Sequence, residues 1–349
     1  MKVRIVCYED VNTWILGKFA LKMQENLLAL GIEVDISKIP DENADINHHI
    51  IYGGYGNKVS GIDTLMITHI DELEKIDLLK NQLTTAKMGI CMSKETMISL
   101  SGIGIPRSKL CYINPAHDGV IKPRPYVIGI TCRVQKDGRK REYLIRELAK
   151  KLNPLDFSFK IMGEHWDDIV NLLKLKGFEV EYYSTFNYDT YTKLIPSLDF
   201  YLYMGLDEGQ MGFIDALAAG VETIVTPQGY HLDAEGGITY PFKTFEQLLS
   251  VFNYIAEHRK KLCNSVMYWN WQDYTKKHLD IWNYLIMKKI GRPYIIGQNN
   301  YKDGLYSIED FRNDVETFSI KSKFKLYYFL TKESIRHRIY FYKNRKRAY

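Results

Sequence analysis

The chain has 349 residues, 46% of them apolar and 26% charged, with a formal net charge of +5. That length exceeds what one compact core organises and calls for two domains, and the apolar share is enough to fill both. No apolar run approaches the roughly 20 residues of a membrane-spanning helix. Cys7, Cys91, Cys111, Cys132 and Cys263 are scattered without a C-x-x-C pair. They argue for buried reduced thiols in a reducing compartment, against a zinc site or a disulfide scaffold.

In chain order, residues 3–8 read as a strand that starts almost at Met1, so no N-terminal signal and a cytoplasmic location are expected. Residues 13–30 read as a helix closed by Gly31, and 33–36 as the next strand. Further strands are expected at 49–53 and 64–68, with a helix over 71–81. Gly17 and the group Gly53, Gly54 and Gly56 are either points of close backbone approach or plain turns. Three prolines within 115–125 break regular structure and mark a linker. The alternation of strand and amphipathic helix restarts at Val127 and runs to about Tyr284. Such alternation predicts an α/β fold with parallel sheets. The expected domains are 1–122, 123–290 and an extension over 291–349.

The most informative segment is 206–226. Asp207 and Asp215 stand eight positions apart, with Glu208 and Gly209 beside the first, and a small-residue helix follows through Gly220. A helix start between two carboxylates offers free N–H groups and partial positive charge to a diphosphate. Each carboxylate can accept from two sugar hydroxyls. Together these features describe a nucleotide-sugar site. The competing reading makes Asp215 a surface-helix salt bridge and Glu208 a solvated loop charge.

This segment resembles the Glu-x7-Glu signature of the family 4-like retaining glycosyltransferases of GT-B fold, usually written E-G-F-G-x-x-x-x-E-A-x-A-x-G. Asp215 is one methylene shorter than the usual Glu, and Gln210 and Met211 replace the usual Phe-Gly. Other passages are similar to the family in matching order: 87–115, 127–140, 159–163, 198–203, and Trp269 with Trp271 ahead of a closing helix. The resemblance implies two Rossmann-like domains facing a cleft; a basic C-terminal helical tail is expected beyond them from the charge of residues 321–349. It implies that Asp207 or Glu208, with Gly209, takes the transferred sugar and Asp215 the ribose. It places Arg133, Arg139 and Lys140 on the donor diphosphate and His69 near the sugar. It implies transfer with retention to a glycan or lipid-linked acceptor in surface polysaccharide or glycolipid synthesis. The donor is then a UDP- or GDP-linked sugar, with no other cofactor. No Asp-x-Asp occurs, so no metal is expected. On the residues alone, 136–141 also reads as a solvated turn and His69 as a structural residue. Two other readings stand beside transfer: a GT-B-fold sugar-nucleotide epimerase and a non-catalytic binding protein.

Residues 321–349 hold ten Lys or Arg against the single acid Glu333, a segment charge of +9 that leaves residues 1–320 at −4. Phe324, Tyr327, Tyr328, Phe329, Tyr340, Phe341 and Tyr342 are interleaved with these cations. This composition suits an anionic membrane surface, with aromatic rings at the interface. A segment serving only that purpose is expected to be removable without disturbing the body. The alternative is a helix packed on the body with a solvated basic face. An acidic body without a nucleic-acid motif argues against DNA or RNA partners.

Overall fold

Twelve short strands, several of them apolar runs buried at most positions, form in the computed structural model of the chain, which describes residues 1–56, 61–296 and 320–345. The chain divides into two compact units: Met1–Val120 with Val266–Tyr349, and Ile121–Ser265.

In the first unit the strands are β1 (Lys2–Val6), β2 (Glu33–Ser37), β3 (Ile46–His49), β4 (Asp63–Ile67), β5 (Met88–Cys91) and β6 (Leu110–Tyr112). They form one sheet in the order β2-β1-β3-β4-β5-β6, every neighbouring pair parallel. Helices α1 (Ile15–Ala29), α2 (Leu73–Thr85) and α3 (Lys94–Gly102) provide crossovers. Both faces of such a sheet are covered, so strands such as β4 are buried at every residue.

The strand expected at 49–53 lies instead at Ile46–His49, and a single 3-10 turn occupies Tyr52–Gly54. The apolar residues Ile50, Ile51 and Tyr52 drew the reading downstream, while β3 is polar at three of its four positions. Those polar groups are accommodated inside: the Asn47 side chain exchanges hydrogen bonds with the Asp41 backbone, and His48 Nδ1 meets Thr64 Oγ1 at 3.0 Å.

The second unit holds β7 (Tyr126–Ile130), α4 (Tyr143–Leu148), β8 (Phe157–Met162), α5 (Asp167–Leu175), β9 (Val180–Tyr183), α6 (Tyr188–Leu194), β10 (Phe200–Tyr203), α7 (Met211–Ala218), β11 (Glu222–Val225), β12 (Tyr240–Pro241) and α8 (Phe245–Asn264). Its strand order is β12-β11-β10-β7-β8-β9, again all parallel. That is the doubly wound Rossmann order, with its direction of winding reversed between β7 and β10. Two Rossmann-like units in one chain are the components of the GT-B fold.

The chain leaves the first unit between Val120 and Ile121, inside the proline-rich stretch, and returns at Val266. Residues 266–290, assigned by sequence to the second domain, therefore belong to the first. The reason is burial. Helix α9 (Trp271–Lys289) places Trp271, Tyr274, Ile281 and Trp282 in one core with Phe19, Met23 and Met66. Phe19 meets Trp271 edge-on at 5.0 Å, and Trp282 Nε1 donates to Thr64.

Helix α10 (Ile320–Arg345) also belongs to this unit rather than to a separate extension. One seam of it, Leu326, Leu330 and Ser334, packs on α2 and α3. Leu330 is fully buried, Ser334 Oγ accepts from the Leu73 N–H and donates to Glu74, and Arg338 pairs with Glu74. The tail is thus not removable at no cost to the body. Residues 346–349, and the stretch 297–319 of the expected extension, lie outside the described residues.

All five cysteines are unpaired. Among the described residues no helix is long and apolar enough to cross a membrane, and no cluster of three or more His, Cys, Asp or Glu is placed to hold a metal ion.

The two faces of α10 generate opposite expectations. Leu330→Ala should lower unfolding stability by about 2–5 kcal/mol, because it empties a packed site. Ile335→Ala, on the exposed face, should change it by no more than about 0.5 kcal/mol. Denaturant unfolding of the two variants measures both.

Candidate functional site

The C-terminal ends of β7, β8, β9 and β10 surround a concavity of about 650 Å³ in the second unit. It sits where the winding reverses, the place where open α/β sheets hold ligands because the flanking crossovers diverge there. Its floor is the start of α7. No side chain caps that helix, so the N–H groups of Met211 and Gly212 are left for a ligand. Gly212 is dictated by packing: a Cβ there would lie 2.2 Å from Thr131 Oγ1 and 2.5 Å from the Tyr201 hydroxyl. Gln210, just ahead, bonds the Thr131 carbonyl through Nε2 at 2.8 Å. Its own N–H donates to His231 Nε2 at 3.0 Å. Burial lowers the His231 pKa and keeps the ring neutral, which leaves that nitrogen free to accept.

Arg133, Arg139, Lys140 and Asp215 all line this concavity. Arg133 is exposed at the end of the β7 strand loop and has no polar partner among the described residues. Arg139 is exposed as well and lies 3.6 Å from Asp137. Lys140 differs. It is nearly buried and donates to Asp207 Oδ2 and to the Tyr203 hydroxyl, each at 2.6 Å. Tyr203 in turn donates to Asp207 Oδ1 at 2.5 Å. Burial alone would raise the Asp207 carboxyl, but the bonds from Lys140 and Tyr203 outweigh it and hold the group below the usual carboxylate range. Lys140 and Asp207 therefore neutralise each other, leaving Arg133 as the cation whose charge faces the concavity unpaired.

Asp207 is not among the residues that line the concavity. Of the two acids left open as the first of the motif, it is the one tied into the Lys140–Tyr203 cluster. Glu208 is exposed, and its carbonyl accepts from the Tyr230 N–H at 3.1 Å. Gly209 has a φ of 125°, and a Cβ there would meet the Tyr230 ring at 2.7 Å, so both backbone and space demand glycine. Neither Glu208 nor Gly209 lines the concavity. His69 belongs to the other unit. It is exposed just past β4, with Nδ1 3.0 Å from Thr68 Oγ1 and its carbonyl accepting from Tyr52.

Sequence reasoning missed several neighbours. Phe186 and Tyr188, both largely exposed, and Tyr191 line the side of the concavity formed by the β9–α6 loop. Tyr191 donates to Asp215 Oδ2 at 2.5 Å. Arg141 entered the sequence reading only as the end of a solvated turn, and the structure corrects this. It is buried and adopts a left-handed φ of 50°. It donates to the Met204 carbonyl at 2.6 Å, the Lys243 carbonyl at 2.9 Å and Thr226 Oγ1 at 2.6 Å. Its position beside Lys140 was the available signal, since a third consecutive cation in a turn is rarely all solvent-facing.

No family model matches the chain, and no curated protein sequence does. Among solved structures, the chain is similar to HepE of Anabaena in complex with UDP-glucose, at 12% identity over 83% of this chain and 99% of that one, with a TM-score of 0.31. It is also similar to the apo form of WaaB, a lipopolysaccharide outer core galactosyltransferase, at 13% identity over 83% and 100% with a TM-score of 0.33. A third is WaaG, a glycosyltransferase involved in lipopolysaccharide biosynthesis, at 14% identity over 85% and 100% with a TM-score of 0.32. At such identities and scores these likenesses carry no functional weight.

Arg141→Met should cost at least about 2 kcal/mol of stability, since it strips two buried carbonyls of a charged donor. Arg141→Lys should not restore it, because an ammonium cannot span three acceptors in a planar fork. Chemical denaturation of both variants beside Arg139→Ala, expected near neutral, checks this.

Proposed function

We propose that the protein is a glycosyltransferase that moves a sugar from a UDP- or GDP-linked donor to a glycan or lipid-linked acceptor. One observation carries the reading: an unpaired arginine, an uncapped helix start and a carboxylate share one concavity at the winding reversal of a Rossmann-like sheet. The diphosphate sits on the N–H groups of Met211 and Gly212 with Arg133 against it, where dipole and cation add. Asp215 takes the ribose hydroxyls, and the exposed rings of Phe186 and Tyr188 offer a stacking surface for the base. By the resemblance, hydroxyls of the transferred sugar fall to Asp207, or to Glu208 beside it, in the loop that leads into α7.

In the transfer, the bond from the anomeric carbon to the diphosphate oxygen breaks while the acceptor oxygen bonds to the same carbon on the same face. The acceptor proton passes to the departing diphosphate, so configuration is retained without a protein base. Negative charge grows on the leaving group, and Arg133 and the helix start stabilise it where a metal would otherwise serve. The epimerase alternative needs paired acid and base groups at the sugar, and the concavity supplies Asp215 and Glu164 without a matching pair of general acid and base. A non-catalytic binding or scaffold protein would have lost donor affinity, which donor calorimetry detects.

The test is calorimetric binding of UDP and GDP together with product analysis. Asp215→Ala should weaken nucleotide binding more than about tenfold, the loss of a charge-assisted hydrogen bond. Arg133→Ala should lower turnover at saturating donor with folding unchanged. A protein that binds neither nucleotide refutes the reading.

The tail helix adds a location to this proposal: the anionic inner face of the cell membrane, for synthesis of surface polysaccharide or glycolipid. Helical spacing puts Phe324, Tyr328, Ile335 and Ile339 on one outward stripe, with Lys325, Lys332 and Arg336 on the stripe beside it. All seven are exposed, Phe324 by 73% and Tyr328 by 71%. Rings and branched aliphatics next to a row of cations fit the boundary between headgroups and acyl chains. Changing Lys325, Lys332 and Arg336 together to Glu should cut binding to anionic vesicles by roughly a hundredfold. Activity on a short water-soluble acceptor should persist, and neutral vesicles should show little difference.

A further inference from the structure

Asp215 stands where the related motif carries a glutamate, one methylene longer, and the carboxylate of a shorter side chain sits further from a ligand and can rotate away from it. The structure places a second group on that carboxylate. Tyr191, four residues after the Asn187 cap of α6, donates its hydroxyl to Asp215 Oδ2 at 2.5 Å. A phenol donating to a carboxylate makes a charge-assisted hydrogen bond, the strong class of such contacts. Both residues line the same concavity. The Tyr191 ring packs against Phe186, at 5.3 Å between ring centres. Burial, and then the Asp215 carboxylate, push the Tyr191 phenol well above its usual pKa, so it stays a donor at neutral pH. Asp215 Oδ1 has no hydrogen-bond partner among the described residues.

We propose that Tyr191 is the positioning residue that fixes the Asp215 carboxylate for a ribose diol, standing in for the missing methylene. The inference rests on the nucleotide reading above. One oxygen is committed to Tyr191, which locks the carboxylate rotation, and the other is left directed at the ligand. A freely rotating aspartate would have to be ordered by the ligand itself, at a cost in affinity. The pair also makes a specificity statement: the site should prefer ribonucleotides to 2′-deoxyribonucleotides, because a fixed acceptor left without its hydroxyl is penalised.

The experiment compares the wild type with Tyr191→Phe and Asp215→Asn by titration calorimetry, using UDP, GDP, their 2′-deoxy counterparts and inorganic pyrophosphate. Tyr191→Phe keeps the ring and its packing on Phe186 and removes only the hydroxyl. For whichever ribonucleotide binds the wild type, affinity should fall roughly tenfold in Tyr191→Phe. The preference for ribose over deoxyribose should shrink in both variants, while pyrophosphate affinity stays at its wild-type value. If the wild type binds a ribonucleotide and Tyr191→Phe binds it equally well, the positioning role is overturned and the nucleotide reading stands. If pyrophosphate weakens as much as the nucleotide, Tyr191 supports the whole loop and the specific role is again overturned. A wild type that binds neither nucleotide overturns the site reading itself, and the role of Tyr191 with it.

Discussion

Three consecutive residues hold the second unit's site together. The Arg139 carbonyl accepts from the Leu206 N–H at 2.8 Å, Lys140 grips Asp207, and Arg141 binds the Met204 carbonyl. The β7–α4 loop is thereby stapled to the β10–α7 loop at Met204, Leu206 and Asp207 across the winding reversal. Everything the concavity offers depends on that staple. It fixes where α7 begins, hence where Met211 and Gly212 present their N–H groups and where Asp215 emerges one turn later. The left-handed turn at Arg141 is a conformation a residue with a Cβ seldom adopts. Two carbonyls and a hydroxyl bound to one guanidinium offset the strain.

The same staple sorts the charges. Three cations in a short loop look alike in a sequence, yet their surroundings give them different work. Arg141 is buried with neutral acceptors, which depresses its pKa through desolvation while leaving it charged. Lys140 is buried with a carboxylate and a phenol and adds little net field. Arg133 faces open space. An anion entering the concavity meets one unpaired arginine and a helix start, both already in place, so little reorganisation accompanies binding.

The first unit is arranged by a different constraint, the accommodation of polar groups inside a parallel sheet. His48 is wholly buried beside Thr64, with the His278 ring 5.0 Å away and Trp282 at 5.5 Å. Desolvation depresses both histidines, His278 to a pKa of about 4, so the pair packs as neutral rings. Helix α9 supplies His278 and Trp282 and is therefore part of this core, although the chain reaches it only after tracing the whole second unit. Helix α10 follows the same logic with a narrower seam.

Much of this was legible in the sequence because it is local. Period-two and period-3.6 patterns placed β1, β2, β4, α1 and α2 within a few residues, and the spacing of Asp207 and Asp215 located the loop and helix that build the site. Arg133, Arg139, Lys140 and Asp215 were selected from the chain and do share one concavity. What the sequence could not decide was set by residues distant along the chain. Whether a cation is free or neutralised depends on a partner 67 positions away, as with Lys140 and Asp207. The Tyr191–Asp215 contact joins two helices on different crossovers, and neither residue carries a local signal of the other. The polar strand β3 and the return of α9 were likewise hidden, because burial of a polar group is permitted only by the partner that satisfies it. The sequence determined which elements form and which side chains could do the chemistry; the tertiary structure alone decided which of those side chains are already engaged, since pairing and desolvation exist only after the chain has closed on itself.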